Sequence, residues 1–213
     1  MTSLVWLNSC GDSSDIFKLS KDQAQELIVS IQTQLTNIID FHKQRGNCSK
    51  KEEEFLLSKL KTFVIPHFYI LWKILKKPIV GRPIVLGCNW ILTPASIFVG
   101  HRLKKFCEKF NTILPDTLSL VKILETKQFD HDCFLFTIDF KSWYTNIPVD
   151  HTIELMKEII FEHKDVISNA DFILDLLNMV LKNSLMQFRE EFFQQIFGVI
   201  MGCLLYTSDA ADE

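Results

Sequence analysis

The sequence predicts an α+β fold, because helical and strand patterns come in separate blocks along the chain. Residues 16–44 carry apolar side chains at helical spacing, and residues 63–90 are rich in β-branched and aromatic residues. Residues 184–196 have the pattern of a strand pair that follows two further helices. Strands that are grouped in this way favour α+β over a doubly wound parallel sheet.

The elements of the first half have local start signals. Residues 16–44 are predicted to be one amphipathic helix. Ser49 followed by Glu52 has the spacing of a capping box and predicts a short helix there. The block that follows is divided into short strands and turns by Pro66, Pro78, Gly81 and Pro83. Thr93-Pro94 then opens a helix predicted to run to about Phe110.

The second half begins with a predicted strand from Phe134 to Asp139, where β-branched and aromatic residues follow one another. Pro148 and Asp150 mark the start of the next helix, with Asp150 as the expected N-cap. That helix is predicted to run from Asp150 to about His163, with inward-facing residues Ile153, Met156, Ile159 and Ile160.

Another helix is predicted from Asn169 to Lys182. Its expected inward-facing residues are Phe172, Leu176, Met179 and Val180. The strand pair 184–196 would turn near Arg189, although the Asn-Gly sequence typical of two-residue hairpin loops is absent.

Charge is unevenly distributed along the chain. The whole sequence has 23 Lys and Arg residues against 26 Asp and Glu residues. Residues 41–110 hold 14 basic and 4 acidic residues, whereas residues 111–202 hold 7 basic and 14 acidic ones. A basic block next to an acidic block suits a nucleic-acid or triphosphate surface beside a metal site. Two solvated helix faces of opposite sign would give the same pattern.

Several classes of protein are disfavoured by the composition. The cysteines form no Cys-x-x-Cys pair, which argues against a zinc site or a disulfide framework. The longest apolar stretch, residues 63–72, is too short to span a membrane, and no basic residue precedes the apolar run at residues 4–7. The histidines show no ligand spacing. We expect no membrane partner and a nuclear or cytoplasmic location in a reducing compartment.

Asp139 is the main candidate for chemistry, because it would lie where an apolar strand ends at the rim of a sheet. A carboxylate in such a place needs a cation, and Mg²⁺ is held in proteins by one or two carboxylates together with substrate phosphates. Aspartate also ends strands and begins turns without any function. The spacing alone leaves both interpretations open.

The sequence around Asp139 favours the metal-site interpretation over the structural one. Residues 137–148 read Thr-Ile-Asp-Phe-Lys-Ser-Trp-Tyr-Thr-Asn-Ile-Pro. This string resembles motif A of the reverse transcriptases of Penelope-like retroelements, which are related to telomerase reverse transcriptases. The resemblance implies that Asp139 is catalytic and a metal ligand. It also implies that Phe140 lies at the nucleotide and that Tyr144 excludes a ribose 2′-hydroxyl. Trp143 stands where the pattern usually has Leu.

Residues 68–84 resemble the fingers motif of the same family, usually written Tyr-Gly-Leu-Pro-Lys-Ile-His-Lys…Arg-Pro-Ile. The resemblance implies that Arg82 and one of Lys76 or Lys77 contact the incoming triphosphate, and that Lys73 meets the template backbone. An Arg fork and a Lys point charge both suit phosphate. The sequence departs from the pattern because Ile70, Trp72 and Leu75 replace Gly, Pro and His.

Residues 193–202 resemble motif B, Gln-x-x-Gly-x-Ala-Met-Gly. The resemblance places Gln195 and Gly198 beside the nucleotide and the template base, and glycine permits a close backbone approach. Ile200 stands where a small residue is usual.

The resemblance predicts four regions and an incomplete active site. These are an N-terminal helical region (1–48), fingers (49–128), a partial palm (129–202), and residues 203–213, which resemble a translated sequencing adapter. The implied architecture is the reverse-transcriptase right hand, with fingers and a partial palm. The implied activity is RNA-directed DNA synthesis with two Mg²⁺ or Mn²⁺ ions, an RNA template, a DNA primer and deoxynucleoside triphosphates.

Two-ion chemistry requires several carboxylates, and the sequence has no Asp-Asp pair. We therefore expect the chain by itself to be inactive. Two alternatives remain open from the sequence. One is a decayed or domesticated module that only binds nucleic acid, and the other is a telomerase-like polymerase.

Overall fold

The computed structural model describes residues 16–75, 77, 79–107, 110, 112–114, 116–140, 143–163 and 169–200. The described part is a mixed α+β fold with six α-helices and a five-stranded sheet, as predicted. The helices are α1 (Lys21–Gln44), α2 (Lys50–Leu56), α3 (Thr93–Cys107), α4 (Thr117–Glu125), α5 (Val149–Glu162) and α6 (Ala170–Lys182). The strands are β1 (Ile16–Leu19), β2 (His67–Lys73), β3 (Val80–Leu86), β4 (Ser184–Phe188) and β5 (Glu191–Gln195).

The sheet has the strand order β1-β5-β4-β2-β3. Neighbouring strands are antiparallel except β2 and β4, which run parallel and meet at His67 and Gln187. The Gln187 N–H also donates to the Pro66 carbonyl at 2.8 Å. Strands from residues 1–48, 49–128 and 129–202 therefore share one sheet, while the boundaries between these regions stay predictions.

The N-terminal helix begins later than its apolar periodicity suggested. Ser20 caps α1 and forms a capping box with Gln23, so the helix starts at Lys21. Residues 16–19, predicted to be helical, instead form β1 along the free edge of β5. The prediction was wrong there because the cap fixes the helix start, and the residues before it complete the sheet.

The other local signals of the first half are confirmed. Ser49 and Glu52 make both bonds of the predicted capping box at the start of α2. Residues 63–90 form the antiparallel β2–β3 hairpin, and α3 begins at Thr93. Helix α4 was not predicted, although the Asp116 side chain caps it by accepting from the Ser119 N–H at 2.7 Å.

Helix α6 is the most deeply buried helix of the second half. The predicted inward residues Phe172, Leu176, Met179 and Val180 are all buried, as are its further core residues Ala170, Ile173, Leu177 and Leu181. It packs against α1, α3 and α5. The following β4–β5 hairpin is also confirmed, and its turn places Arg189 at φ 56° without Asn-Gly.

The N-cap of α5 differs from the prediction. Pro148, rather than Asp150, occupies the N-cap position, because the helix already begins at Val149. Asp150 lies in the first turn, where a negative charge suits the helix dipole, and its Oδ1 is 2.8 Å from the Lys182 Nζ.

The predicted strand from Phe134 to Asp139 is wrong. Residues 133–140 lie outside helices and strands, and their apolar side chains are exposed, Phe134 to 93%. A strand needs hydrogen-bonding neighbours, and this segment pairs with none of the five described strands. Propensity alone therefore did not produce a strand there.

Helices α1 and α6 are linked through a buried histidine. The His42 Nε2–H donates to the Asp175 Oδ2 at 2.8 Å, since a carboxylate can only accept. The His42 ring also lies against Phe172, with ring centroids 4.7 Å apart. This bond satisfies a polar group that would otherwise destabilise the apolar core.

Helices α2 and α3 are linked through Glu52. Its carboxylate accepts from the Ser49 N–H at 2.8 Å and from the Arg102 Nη2 at 2.6 Å. Burial raises the pKa of Glu52, but the Ser49 hydrogen bonds and the Arg102 charge outweigh burial and lower it below 4.5. The charged form of Glu52 therefore stabilises this corner of the fold.

In the described part of the chain, no helix is both long enough and apolar enough to cross a membrane.

We predict that His42→Ala lowers the free energy of unfolding by about 2–3 kcal/mol, because it removes a buried hydrogen bond and leaves a cavity. Asp175→Ala is the comparison: it should also destabilise the protein, because it leaves the buried His42 N–H without its acceptor, but by less than His42→Ala, because the 51% exposed Asp175 side chain leaves no cavity in the core. Urea unfolding at neutral pH measures both. An equal loss in the two variants would contradict this account of the core.

We predict that Glu52→Gln lowers stability at neutral pH and that the difference from the unsubstituted chain disappears in acid. The pKa is depressed in the folded state, so the stabilisation is full above the ordinary value of 4.5 and is lost as pH falls through the folded pKa. Unfolding at a series of pH values measures this. Glu54→Gln is the control, since the exposed Glu54 lies 4.0 Å from Lys50 and should have little effect at any pH.

Candidate functional site

The segments that resemble motif A and motif B touch each other through their backbones. The Val199 N–H donates to the Tyr144 carbonyl at 2.7 Å. A Cβ on Gly198 would lie 2.6–2.8 Å from the carbonyl oxygen, carbonyl carbon and Cα of Thr145. Gly198 also has φ +76°, which glycine adopts without strain. We call residues 144–145 and 198–199 the backbone clamp.

Tyr144 is held in place from both sides. It begins a 3₁₀ helix, Tyr144–Asn146, in which the Asn146 N–H donates to the Trp143 carbonyl at 3.1 Å. The next residue, Ile147, is buried in the main core and leads into α5. The half-buried Tyr144 is therefore fixed between an anchored helix start and the backbone clamp, beside Gly198.

Gln195 lies at the end of β5, three residues before Gly198. Its backbone pairs with β1 and β4, opposite Ile16 and Ser184. Its side-chain Nε2 donates to the Phe197 carbonyl at 2.8 Å. Gln195 therefore shapes the turn that delivers Gly198 to the clamp, and its predicted contact with a base stays a prediction.

Asp139 and Phe140 lie on the exposed segment that precedes the clamp. The Phe140 ring lies against Trp143, with ring centroids 4.4 Å apart, and both rings are at least half-exposed. Among the described residues, no three His, Cys, Asp or Glu side chains come together as metal ligands. Asp139 alone does not fit a site for two ions, which needs several bridging carboxylates.

The predicted triphosphate and template contacts lie on the β2–β3 hairpin. Lys73 pairs with Val80 and Arg82 pairs with Leu71, so the two basic side chains share one face of the ribbon. Lys77 is exposed in the connection, whereas Lys76 lies outside the described residues. The hairpin is a separate element from the clamp, and its base joins the sheet at the parallel β2–β4 contact.

A cavity of about 50 Å³ lies between the base of this hairpin and the motif B-like segment. Its polar lining residues are Thr93, Ser96, Asn183 and Ser184, and Val199 and Ile200 close one side. The Thr93 hydroxyl donates to the Gly87 carbonyl, and the Asn183 amide donates to the Met179 carbonyl. One water needs roughly 10–15 Å³, so the cavity holds a few waters rather than a nucleotide.

Sequence reasoning missed Thr145 and Val199, the partners within the clamp. Gly198 was the available signal, because a glycine often marks a close backbone approach. The sequence does not say which backbone it approaches, since Thr145 is more than fifty residues away along the chain. Of the predicted site residues, Tyr144 and Gly198 both lie in the backbone clamp, where each contacts the chain neighbour of the other.

No family model, curated protein or solved structure matches the chain.

We predict that Gly198→Ala destabilises the protein more than Gly46→Ala. Both glycines have nearly the same positive φ, but a Cβ at position 46 meets no atom within 4 Å, whereas at position 198 it meets the Thr145 backbone. We expect a loss of about 1 kcal/mol at Gly46 from backbone strain, and clearly more at Gly198 because backbone cannot move aside cheaply. Thermal and urea unfolding measure the stability of both variants. Equal losses of stability would mean that the Thr145 backbone does not confine position 198.

Proposed function

We propose that this chain provides the fingers and part of the palm of an RNA-directed DNA polymerase of the Penelope-like retroelement type. The observation that carries the proposal is the backbone clamp. Two segments that resemble motif A and motif B, far apart in sequence, are joined by the hydrogen bond from Val199 to Tyr144 and by the close approach of Gly198 to the Thr145 backbone. A chance resemblance in either segment would not require the two to meet.

The proposed roles follow from what these residues can do chemically. The half-buried Tyr144, held rigidly by the clamp, would reject a ribose 2′-hydroxyl by contact and so favour deoxynucleotides. Gly198 would let a nucleotide approach its backbone closely. Arg82 and one of Lys76 or Lys77 would bind the triphosphate, and Lys73 would bind the template backbone.

Asp139 would supply one carboxylate of the metal site. The other described carboxylates do not assemble a site for two ions around it. We therefore assign binding and nucleotide selection to the described residues, and we propose that the chain by itself does not catalyse nucleotide transfer.

A non-catalytic nucleic-acid-binding module is the second candidate. The exposed Asp139, which is not gathered with other ligands among the described residues, favours it. The two candidates differ over Tyr144. Selection between deoxynucleotides and ribonucleotides is useful to a polymerase and has no purpose in a module that only binds strands.

We predict that the chain binds a primer annealed to an RNA template but does not extend it with Mg²⁺ or Mn²⁺. In that complex it should bind a deoxynucleoside triphosphate about tenfold more tightly than the ribonucleotide, which corresponds to about 1.4 kcal/mol. Tyr144→Ala should remove this preference. Titrations with fluorescent nucleotides measure it.

Trp143→Leu is the matched control, since it restores the residue usual in the resembled motif and should leave the preference intact. Primer extension would contradict the proposed inactivity. Equal binding of both nucleotides by the unsubstituted chain would favour the non-catalytic module.

A further inference from the structure

The hairpin β2–β3 carries a half-exposed tryptophan that lies beside a glycine of the partner strand. Trp72 pairs with Gly81 across the ribbon. The Cζ3 and Cε3 atoms of its indole lie 3.7 and 3.8 Å from the place where a Cβ on Gly81 would be. Ile70, on the same face, is so close that its Cγ2 would be 2.5 Å from that Cβ. The close approach of Ile70 therefore excludes a side chain at Gly81, and the Trp72 indole lies at ordinary contact distance beside the same position.

The core does not account for Trp72. Phe68, four residues earlier on the same face, is buried with Val85, and Ile70 packs against them at the margin of that cluster. Trp72 lies one step farther toward the hairpin tip and is 47% exposed. A tryptophan with about half of its surface exposed offers a large flat group to a ligand.

The surroundings of Trp72 select the kind of ligand. No aspartate or glutamate occurs between Glu54 and Glu108, whereas the hairpin carries Lys73, Lys77 and Arg82. Lys77 is exposed in the connection, while Lys73 and Arg82 are partly exposed on the opposite face of the ribbon. An aromatic ring with lysine and arginine nearby and no acidic residue suits a negatively charged polymer whose units can stack on the ring. Single-stranded nucleic acid has this chemistry.

We propose that Trp72 is a stacking platform for an unpaired base of a single nucleic-acid strand that passes over the hairpin tip. Every base has a π face, so the contact tolerates any sequence. Lys73 binds a phosphate of the same strand. The inference rests on the proposed function in one respect, because the strand is taken to be the template of that site.

This role is a property of this chain rather than of the motif it resembles. The resembled fingers pattern has Gly and Pro where this chain has Ile70 and Trp72. Those two substitutions supply the indole of Trp72 and the Ile70 side chain beside it. Gly81 and Arg82 lie opposite on β3, so the glycine that pairs with Trp72 directly precedes the predicted triphosphate-binding arginine.

The test compares an end-labelled single-stranded oligouridine with an abasic strand of the same length, using fluorescence anisotropy and the whole chain. We expect Trp72→Leu to weaken oligouridine binding about tenfold and to leave abasic binding unchanged, since only a base can stack. Trp72→Phe should keep most of the affinity. Lys73→Gln should weaken both strands equally and reduce the salt-dependence slope by about one.

Equal effects of Trp72→Leu on both strands, or no effect on either, would overturn the inference. Circular dichroism and thermal unfolding of Trp72→Leu and Trp72→Phe separate a lost platform from a damaged hairpin. Equal binding of both strands by the unsubstituted chain, together with the expected weakening by Lys73→Gln, would refute the stacking platform. The proposed function would still stand. A chain that binds neither strand refutes both.

Discussion

The burial of helix α6 is the constraint on which the rest of the structure depends. Its apolar side chains are enclosed by α1, α3 and α5, and each fully buried Leu, Ile or Phe contributes about 1.5–3 kcal/mol. The helix runs directly into β4, which is the strand that joins the C-terminal hairpin to the β2–β3 hairpin. Fixing α6 therefore fixes the centre of the sheet and the direction in which β5 leaves toward Gly198.

The clamp follows from this arrangement. Beyond β5 the chain turns at Phe197, where the Gln195 amide holds the carbonyl, and returns to the Tyr144 and Thr145 backbone. On the motif A side of the clamp, Ile147 anchors the chain because it is buried in the same core that encloses α6. The two segments thus meet through rigid neighbours, which is the condition a nucleotide-selecting residue needs in order to act by steric rejection.

The exposed parts of the molecule are of two different kinds. The segment 133–140 exposes Phe134 and its apolar neighbours and pairs with none of the described strands. The β2–β3 hairpin is paired from His67 and Leu86 to Lys73 and Val80, and yet it presents Trp72. The exposed Trp72 lies on a paired ribbon that also carries basic residues, which favours a ligand for the hairpin and not for the segment 133–140.

The sequence by itself determined the structural features that depend on residues close together along the chain. The capping box at Ser49, the inward face of α6 and the β4–β5 hairpin depend on nearby hydrogen bonds and on local apolar periodicity, and all were predictable. Tertiary structure decided the placement of β1 on β5, the unpaired state of residues 133–140, and the choice of Thr145 as the backbone that Gly198 approaches. These depend on which strand edges and backbones are available after the core has packed, which local preference does not encode.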